Sequence, residues 1–523
     1  MISVFLKEQK RYGQSELVEL FKTTEEHTVM LLKRLKEYGV LKAVKASDEQ
    51  KNLSDLMEED IEVSDVEVGE NEYFYVFTFV GIITIENRVL KCYPKYIHSK
   101  DEPLNELKQV LAVIEKYNSK EQIIKMYNDT SDSTAFNMLA VMLFLLKDYF
   151  EFGSYNNSQD VIETNGGGEI LWDRTINETF AVLNNGRPIY PEIFTRKTIN
   201  DDFDFFKRLH ECILTRCSKE LEEADLLELF DMSGVDISDE DLDDFGDTEY
   251  ILERITKELR IQFNTRKQLL LKTIYAYVSN SRSHVDDMDC FSMFGTNSFN
   301  LIWEKACAEA FGDQRETSLG NLKLPVPLCA DYNKSDKLIS IIDKPQWIGR
   351  GQNGNRFYKT ASKTLIPDLL SIVRKGEEYQ FIIFDAKYYN LTLEEKKDLS
   401  GQPGIESITK QYLYQLAYQK FIEQHKIKKI QNCFLMPTEV DYVIDKGHVT
   451  LEMLRAQGLE DIKIRLLPAM KLYQKYLGDQ RYDIEELKLD EAKISYLDVM
   501  SANSDLQMVA EESTLENYEK NDR

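Results

Sequence analysis

Two aspartates and a lysine interrupt two apolar runs in the second half of the chain, at a spacing that suits metal chemistry. The runs 365–373 and 379–388 predict two strands joined by a short polar turn. Side chains alternate faces along a strand, so Asp385 and Lys387 should point the same way. Hairpin pairing can bring Asp368 across from them. The sequence therefore predicts two carboxylates and an ammonium group in one patch of an apolar sheet.

The chemistry of such a patch follows from its charges. Two neighbouring carboxylates repel each other, and either a proton or a divalent cation relieves the repulsion. Mg²⁺ prefers oxygen ligands and is commonly held by one or two carboxylates together with substrate phosphate. The ion offsets the charge of the phosphodiester and activates a bound water. Lys387 would either orient this water or stabilise the negative charge that develops during the reaction. The alternative is a salt bridge at the end of a buried hairpin.

The full pattern resembles a known nuclease motif. Pro367-Asp368, an apolar run and then Asp385-Ala386-Lys387 are similar to the PD-(D/E)xK motif of restriction-endonuclease-like proteins. The resemblance implies a deoxyribonuclease that uses Mg²⁺, with Mn²⁺ as a substitute. It makes Asp368 and Asp385 metal ligands and Lys387 their electrostatic partner.

A helix before the hairpin supplies the third acid that this superfamily usually carries. The segment 299–311 has the apolar spacing of an amphipathic helix. Glu304 at its middle is the first choice for an additional metal ligand or base, and Glu309 is the second. Either acid can equally be a solvated helix charge.

A second helix, predicted over 407–422, follows the hairpin. Its polar and aromatic residues recur at i, i+3, i+4 and i+7 and share one face: Gln411, Tyr414, Gln415 and Tyr418. This face resembles the Gln/Tyr helix of RecB-like nucleases, which implies that Gln411 and Tyr414 line the active site. The alternative is an aromatic stripe that packs into the core.

Composition favours a soluble multidomain protein. The chain has 523 residues, a formal net charge of −26 and seven cysteines without a CxxC pair. The absence of a disulfide-like cysteine framework favours a reduced, cytoplasmic compartment, and the longest apolar stretch, 135–146, is too short for a membrane span. The resemblance to restriction-endonuclease-like proteins implies a prokaryotic cell. The net charge opposes non-specific DNA binding, but much of the acid lies in a few segments, including 47–72 and 236–249.

The expected fold class is α+β with several domains. The first is a winged-helix-like module of three short helices and a strand. If the module binds DNA, Lys33, Arg34 and Lys36 would face the DNA; the alternative is that the module mediates protein contacts. A mixed α/β middle region and a restriction-endonuclease-like α/β domain follow. The boundaries are 1–46 for the winged-helix-like module, 47–70 for an acidic linker, 71–285 for the middle region, 286–480 for the nuclease domain and 481–523 for an acidic tail.

The order of segments gives a second resemblance. Tyr93-Pro94-Lys95-Tyr96, the segment 168–176 and the nuclease motif follow one another as in LlaJI-type restriction endonucleases, which are similar to the McrC subunit of McrBC systems. The resemblance implies that 71–285 binds and responds to a separate McrB-like AAA+ GTPase. The resemblance also allows two roles for Arg174: reaching the partner's nucleotide site, or forming an internal salt bridge with Asp173.

The nucleotide motor itself is not expected in this chain. A glycine triplet at 166–168 precedes no Lys-Ser or Lys-Thr at Walker spacing. The resulting hypothesis is an anti-phage restriction endonuclease subunit that cleaves DNA by metal-activated water and works with a separate motor. Two alternatives stay open: a regulatory subunit that mainly stimulates a motor NTPase, and a stand-alone RecB-like repair nuclease.

Overall fold

The computed structural model describes residues 2–45, 73–117, 137–156, 159–199, 204–281, 291–351 and 355–490. The predicted acidic linker at 47–70 and the part of the predicted tail after residue 490 lie outside these ranges. Within them, the strands form six sheets with helices packed between and against them, so the expected α+β class is confirmed. No helix in these ranges has the length and apolarity needed to cross a bilayer.

The N-terminal part combines two sheets with two helices. Its elements are β1 (Ile2–Lys7), β2 (Arg11–Tyr12), α1 (Gln14–Phe21), α2 (Glu25–Glu37), β3 (Leu41–Lys45), β4 (Tyr73–Phe77), β5 (Val80–Ile85) and β6 (Arg88–Tyr93). The expectation of three helices is wrong, because residues 2–7 form a strand that pairs in parallel with β6. Val4 and Leu6 are buried by this long-range pairing, which no local pattern specifies.

The predicted winged-helix-like module shares its sheets with later residues. β3 pairs antiparallel with β4 across the undescribed linker, in the sheet order β2-β4-β3. α2 begins at the N-cap Thr24, whose side chain accepts a hydrogen bond from the backbone of His27. Arg34 donates to Glu86, whereas Lys33 is exposed. The first 45 residues are therefore tied to the middle region, and the boundary at 46 stays a prediction.

The middle region is mostly helical, with a small sheet and a separate hairpin. Its elements are α3 (Leu104–Tyr117), α4 (Met138–Phe152), β7 (Gln159–Thr164), β8 (Glu169–Ile170), α5 (Trp172–Glu178), β9 (Val182–Asn184), β10 (Arg187–Ile189), β11 (Phe194–Ile199), α6 (Phe205–Glu223), α7 (Thr248–Ile261) and α8 (Thr265–Ser281). The apolar α4 is buried, as its composition predicts. The helices α7 and α8 are separate because the chain is extended at Gln262.

The C-terminal part contains the sheet that carries the candidate site. Its elements are β12 (Phe291–Thr296), α9 (Phe299–Phe311), β13 (Gln346–Arg350), β14 (Arg356–Thr360), β15 (Leu369–Lys375), β16 (Glu378–Ala386), α10 (Ile405–Gln424), β17 (Lys429–Thr438), β18 (Ile444–Val449), α11 (Glu452–Arg455), β19 (Ile462–Pro468) and α12 (Ala469–Leu477). Five of these strands form one sheet in the order β15-β16-β17-β19-β18. The β16-β17 and β17-β19 pairs are parallel, and the two edge strands run antiparallel to their neighbours.

The predicted hairpin is present, with a shorter first strand. β15 pairs antiparallel with β16, and Gly376 takes a positive φ of 62° in the turn. Residues 365–368, expected at the start of the first strand, lie outside it. Pro367 has no N–H to give to a sheet, and β15 begins after Asp368.

Helices cover both faces of the hairpin, so β16 is a nearly continuous apolar run. On one face, the ring of Phe384 stacks on Phe311 of α9, with centroids 5.4 Å apart. On the other face, Phe381 packs against Tyr418 of α10 at 5.0 Å. The alternation places Asp385 on the α10 side of the sheet.

The predicted acidic tail begins with ten described residues, 481–490, and the last of them contacts the five-stranded sheet. The Asp490 carboxylate lies 2.8 Å from the Lys375 ammonium group, pairs with Lys429 and accepts hydrogen bonds from Gln380 and Gln431. These cations and amides hold the pKa of Asp490 well below its usual range, against the effect of its partial burial. Asp490, the last described residue, is therefore anchored where β16 and β17 begin, at the opposite end of these strands from Asp385.

Candidate active site

The hairpin brings the two aspartates and the lysine of the motif together. The Asp368 carboxylate accepts a hydrogen bond from the backbone N–H of Ala386, at 3.0 Å, which places it across from the end of β16. The Lys387 ammonium group lies 3.0 Å from the Asp385 carboxylate. The backbone N–H of Lys387 donates to the carbonyl of Leu435 on β17 and fixes the residue just beyond its strand.

The charges of the trio are strongly coupled. Burial raises the pKa of Asp385, and the adjacent Asp368 carboxyl raises it further, to about 8. Burial alone would lower the pKa of Lys387, but the two carboxylates outweigh it and the pKa is raised. Without a bound cation, the cluster therefore keeps its lysine charged and holds a proton on Asp385 near neutral pH.

The first-choice helix acid lies beside this cluster. Burial, followed by repulsion from Asp368, raises the pKa of Glu304 to about 7. Glu304 and Asp368 both line an open cleft of about 510 Å³. Glu309 lines the same cleft but forms an ion pair with Lys305, 2.9 Å away, one helical turn earlier. Between the two acids, the geometry favours Glu304.

The donor set fits a magnesium ion of the kind that keeps several waters. No group of three or more His, Cys, Asp or Glu side chains in the described ranges is arranged to hold a metal ion. However, one or two carboxylates and a substrate phosphate suffice for Mg²⁺. Asp368 and Asp385 form such a pair of oxygen donors, and the raised pKa of Asp385 beside the Asp368 carboxyl shows that negative charge is crowded there.

The predicted Gln/Tyr helix approaches the site through backbone contacts. The Tyr414 hydroxyl donates to the carbonyl of Ile366, at 2.9 Å, and the Gln411 side-chain N–H donates to the carbonyl of Ile383, at 2.8 Å. Burial raises the pKa of Tyr414, and the nearby carboxylates Asp385 and Asp368 add to this rise. Tyr414 therefore fixes the segment just before β15 and Gln411 fixes β16, both beside the carboxylates.

An ion pair that sequence reasoning missed clamps the Pro-Asp segment. The Arg315 guanidinium donates to the carbonyl of Pro367, at 2.7 Å, and pairs with Asp313. Asp313 also accepts from the backbone of Leu370, at 3.1 Å. The available signal was an Asp-x-Arg triplet just after Gly312, whose left-handed conformation ends α9.

A buried network links the residue after Lys387 to the start of the chain. The Tyr388 hydroxyl donates to the Glu8 carboxylate, at 2.6 Å, and the backbone N–H of Lys95 donates to the same carboxylate. The Lys95 ammonium group lies 4.6 Å from the centre of the Tyr388 ring. Burial raises the pKa of Glu8 and lowers that of Lys95. The Tyr-Pro-Lys-Tyr segment thus contacts the residue that follows Lys387.

The second segment of the resemblance lies in the middle region. Arg174 forms an ion pair with Glu178, at 2.9 Å, instead of the internal pair with Asp173 that was the alternative. Its guanidinium also lies 4.8 Å from the centre of the Phe194 ring. The role of Arg174 toward a partner stays a prediction.

Comparison with known proteins identifies relatives along most of the chain. Residues 79–464 match the LlaJI restriction endonuclease family. The type II restriction enzyme BsuMI component YdjA of Bacillus subtilis (strain 168) is 26% identical over 422 residues, which cover 79% of this chain and 83% of that protein. Two solved structures from Thermococcus gammatolerans are weakly similar, each at 13% identity. The structure of McrB AAA+ hexamers with bound McrC has a TM-score of 0.32 and covers 91% of this chain and 99% of its own. The structure of the McrBC complex has a TM-score of 0.21 and covers 58% of this chain and 85% of its own. TM-scores this low do not establish a common fold. The family match extends over more than two thirds of the sequence, and the chain belongs to the LlaJI restriction endonuclease family.

Proposed function

We propose that this chain is the Mg²⁺-dependent DNA endonuclease subunit of a McrBC/LlaJI-like anti-phage restriction system. The observation that carries the proposal is the cluster of Asp368, Asp385 and Lys387, of which Asp368 also lines an open cleft together with Glu304. Two adjacent carboxyls, one of them with a raised pKa, beside a charged lysine are the arrangement expected of a cation site.

Asp368 and Asp385 would hold the metal ion, and Glu304 would act as a third ligand or as a base. When bound, Mg²⁺ would offset the negative charge of a phosphodiester and lower the pKa of a water molecule. The Asp385 proton must leave before the ion binds, because a protonated carboxyl is a poor ligand. Metal binding should therefore be favoured as pH rises toward 8.

The protein's own groups supply the rest of the proposed chemistry. Lys387 keeps its positive charge, and its backbone hydrogen bond to Leu435 fixes its position, which suits stabilisation of charge on the scissile phosphate. Arg315 fixes the backbone of Pro367 and hence the position of Asp368. Tyr414 fixes the adjacent carbonyl of Ile366. These contacts hold the carboxylates in place before substrate arrives.

We also propose that the middle region docks on a separate McrB-like AAA+ GTPase. Large apolar side chains are exposed there, among them Trp172 at 53%, Leu183 at 72% and Phe180 at 94%. Exposed apolar residues gathered in one small substructure favour a protein-binding surface. No nucleotide-binding loop of Walker type occurs in the sequence, so translocation would need a partner chain.

Plasmid cleavage tests the proposed function. We expect the purified chain, mixed with its motor partner and GTP, to cut supercoiled DNA when Mg²⁺ is present and to leave it intact with EDTA. Mn²⁺ should replace Mg²⁺. Stimulation of GTP hydrolysis without any cleavage would support the purely regulatory alternative. Cleavage by the chain alone, without partner or nucleotide, would support the stand-alone nuclease.

A further inference from the structure

A basic and aromatic hairpin precedes the Pro-Asp segment. It consists of β13 and β14 and is called the ribbon below. The segment 344–363 holds five positively charged residues and no Asp or Glu, in a chain whose net charge is −26: Lys344, Arg350, Arg356, Lys359 and Lys363. A local excess of this sign in so acidic a protein points to an anionic ligand.

The pairing of the strands distributes the side chains over both faces of the ribbon. Arg350 lies opposite Arg356 near the tip, and Ile348 lies opposite Tyr358 on the same face. The other face carries Trp347, which pairs with Lys359, followed by Phe357 opposite Gly349. A side chain at 349 would collide with the Phe357 ring, so this glycine lets the ring lie across the ribbon. Each face thus combines aromatic and basic groups.

Both faces of the ribbon are open to solvent. Trp347 is 71% exposed, Tyr358 is 62% exposed and Phe357 is 46% exposed. Every residue of β14 is exposed, as are all residues of β13 except Gly349. An isolated two-stranded hairpin is marginally stable in water, and a ligand along its faces would stabilise it.

The nuclease domain anchors the base of the ribbon. The backbone N–H of Ala361 donates to the carbonyl of Pro345, and the Thr364 hydroxyl donates to that of Asp343. Two tyrosines of α10 hold the chain on either side, because Tyr418 donates to the carbonyl of Leu338 and Tyr414 to that of Ile366. The helix that flanks the carboxylates therefore also fixes the ribbon.

The last residue of the ribbon, Thr360, lies close in sequence to the candidate carboxylate Asp368. Asp368 lies eight positions after Thr360, so at most about 29 Å of extended chain lies between them. One helical turn of duplex DNA spans about 34 Å. A single duplex can therefore contact both the ribbon and the carboxylates.

We propose that the ribbon is the DNA-contacting element of the nuclease, entering a groove of the duplex that the carboxylates cut. The inference rests on the proposed endonuclease function. A two-stranded antiparallel ribbon fits the major groove of B-form DNA. Arg350 and Arg356 at its tip contact phosphates or guanine edges, and Trp347 and Tyr358 lie against sugars and bases. A protein partner would not require an excess of positive charge on both faces, so DNA is the better occupant.

Binding to a fluorescein-labelled duplex of about three helical turns tests the proposal by fluorescence anisotropy. The full chain carries Asp385→Asn, so that binding is read without cleavage. We expect Arg350→Ala combined with Arg356→Ala to weaken binding by about tenfold or more and to lower the salt slope by about 2. Trp347→Ala combined with Tyr358→Ala should weaken binding with little change in the slope, because these residues carry no charge.

A matched control removes two exposed lysines of the middle region, Lys219→Ala with Lys257→Ala, and should bind DNA as the parent does. Unchanged affinity of both ribbon variants would overturn the proposal. Unchanged affinity together with lost binding to the motor subunit would assign the ribbon to a protein partner instead. If Asp385→Asn alone still cleaves DNA at the wild-type rate, the proposed active site fails, whereas the ribbon result stands separately.

Discussion

Replacing Lys387 by alanine is expected to lower the rate of Mg²⁺-dependent DNA cleavage by about 10²–10³-fold or more, because one fixed cationic donor at the scissile phosphate is lost. Asp385→Ala should abolish cleavage, since it removes a proposed metal ligand. Neither change should prevent folding or partner binding. The ammonium group of Lys387 is partly exposed, and the backbone bond of this residue to Leu435 remains after truncation. Single-turnover cleavage of labelled DNA measures the effect.

A lysine on the loop after the hairpin provides the control for this substitution. Lys397 is mostly exposed and pairs only with Glu394 among the ion pairs of the described residues. Lys397→Ala removes the same charge and should cut DNA at the wild-type rate. Comparable cleavage by Lys387→Ala and Lys397→Ala would remove Lys387 from the proposed chemistry.

Trp303→Ala should destabilise the protein by about 3–5 kcal/mol, because it deletes the largest fully buried side chain. The indole ring packs edge-on against Tyr473, with centroids 6.0 Å apart. Its N–H donates to the carbonyl of Leu435, at 3.1 Å, and this carbonyl also accepts from the backbone of Lys387. The tryptophan therefore joins α9 to the strand that positions the lysine.

Chemical denaturation followed by circular dichroism measures this loss. Trp347→Ala is the matched control, since it removes the same ring from an exposed position and should change the free energy of unfolding by less than about 0.5 kcal/mol. Trp303→Phe should fall between the two, as it keeps an aromatic ring but loses the hydrogen bond. Equal stability of the two alanine variants would contradict the role of α9 in holding the sheet.

The parts of the site that lie close in sequence were predictable. Two apolar runs joined by a polar turn predicted the hairpin, and helical spacing predicted α9 over 299–311, with the bounds that the structure shows. Asp385 and Lys387 were expected to share a face, and their 3.0 Å contact confirms that arrangement. The antiparallel pairing of the hairpin is enough to place Asp368 across from these two residues. Their catalytic roles stay predictions.

Contacts between distant segments were not predictable from local patterns. β1 looked helical or irregular alone, and only its parallel pairing with β6 makes it a strand. Glu8 and Tyr388 are 380 positions apart, so no spacing rule joins them. The ribbon was not predicted, because its two strands have only five residues each and glycines and polar residues lie between them.

Binding of Mn²⁺ to the protein, followed by calorimetry or by electron paramagnetic resonance, tests the central claim most directly. Wild-type protein should bind the ion more tightly as pH rises from 6 toward 8, because Asp385, with a pKa of about 8, must lose its proton first. Asp368→Asn and Asp385→Asn should each weaken binding strongly, whereas Glu309→Gln should bind as wild type does. Wild-type affinity in both aspartate variants would show that these carboxylates do not hold the metal ion.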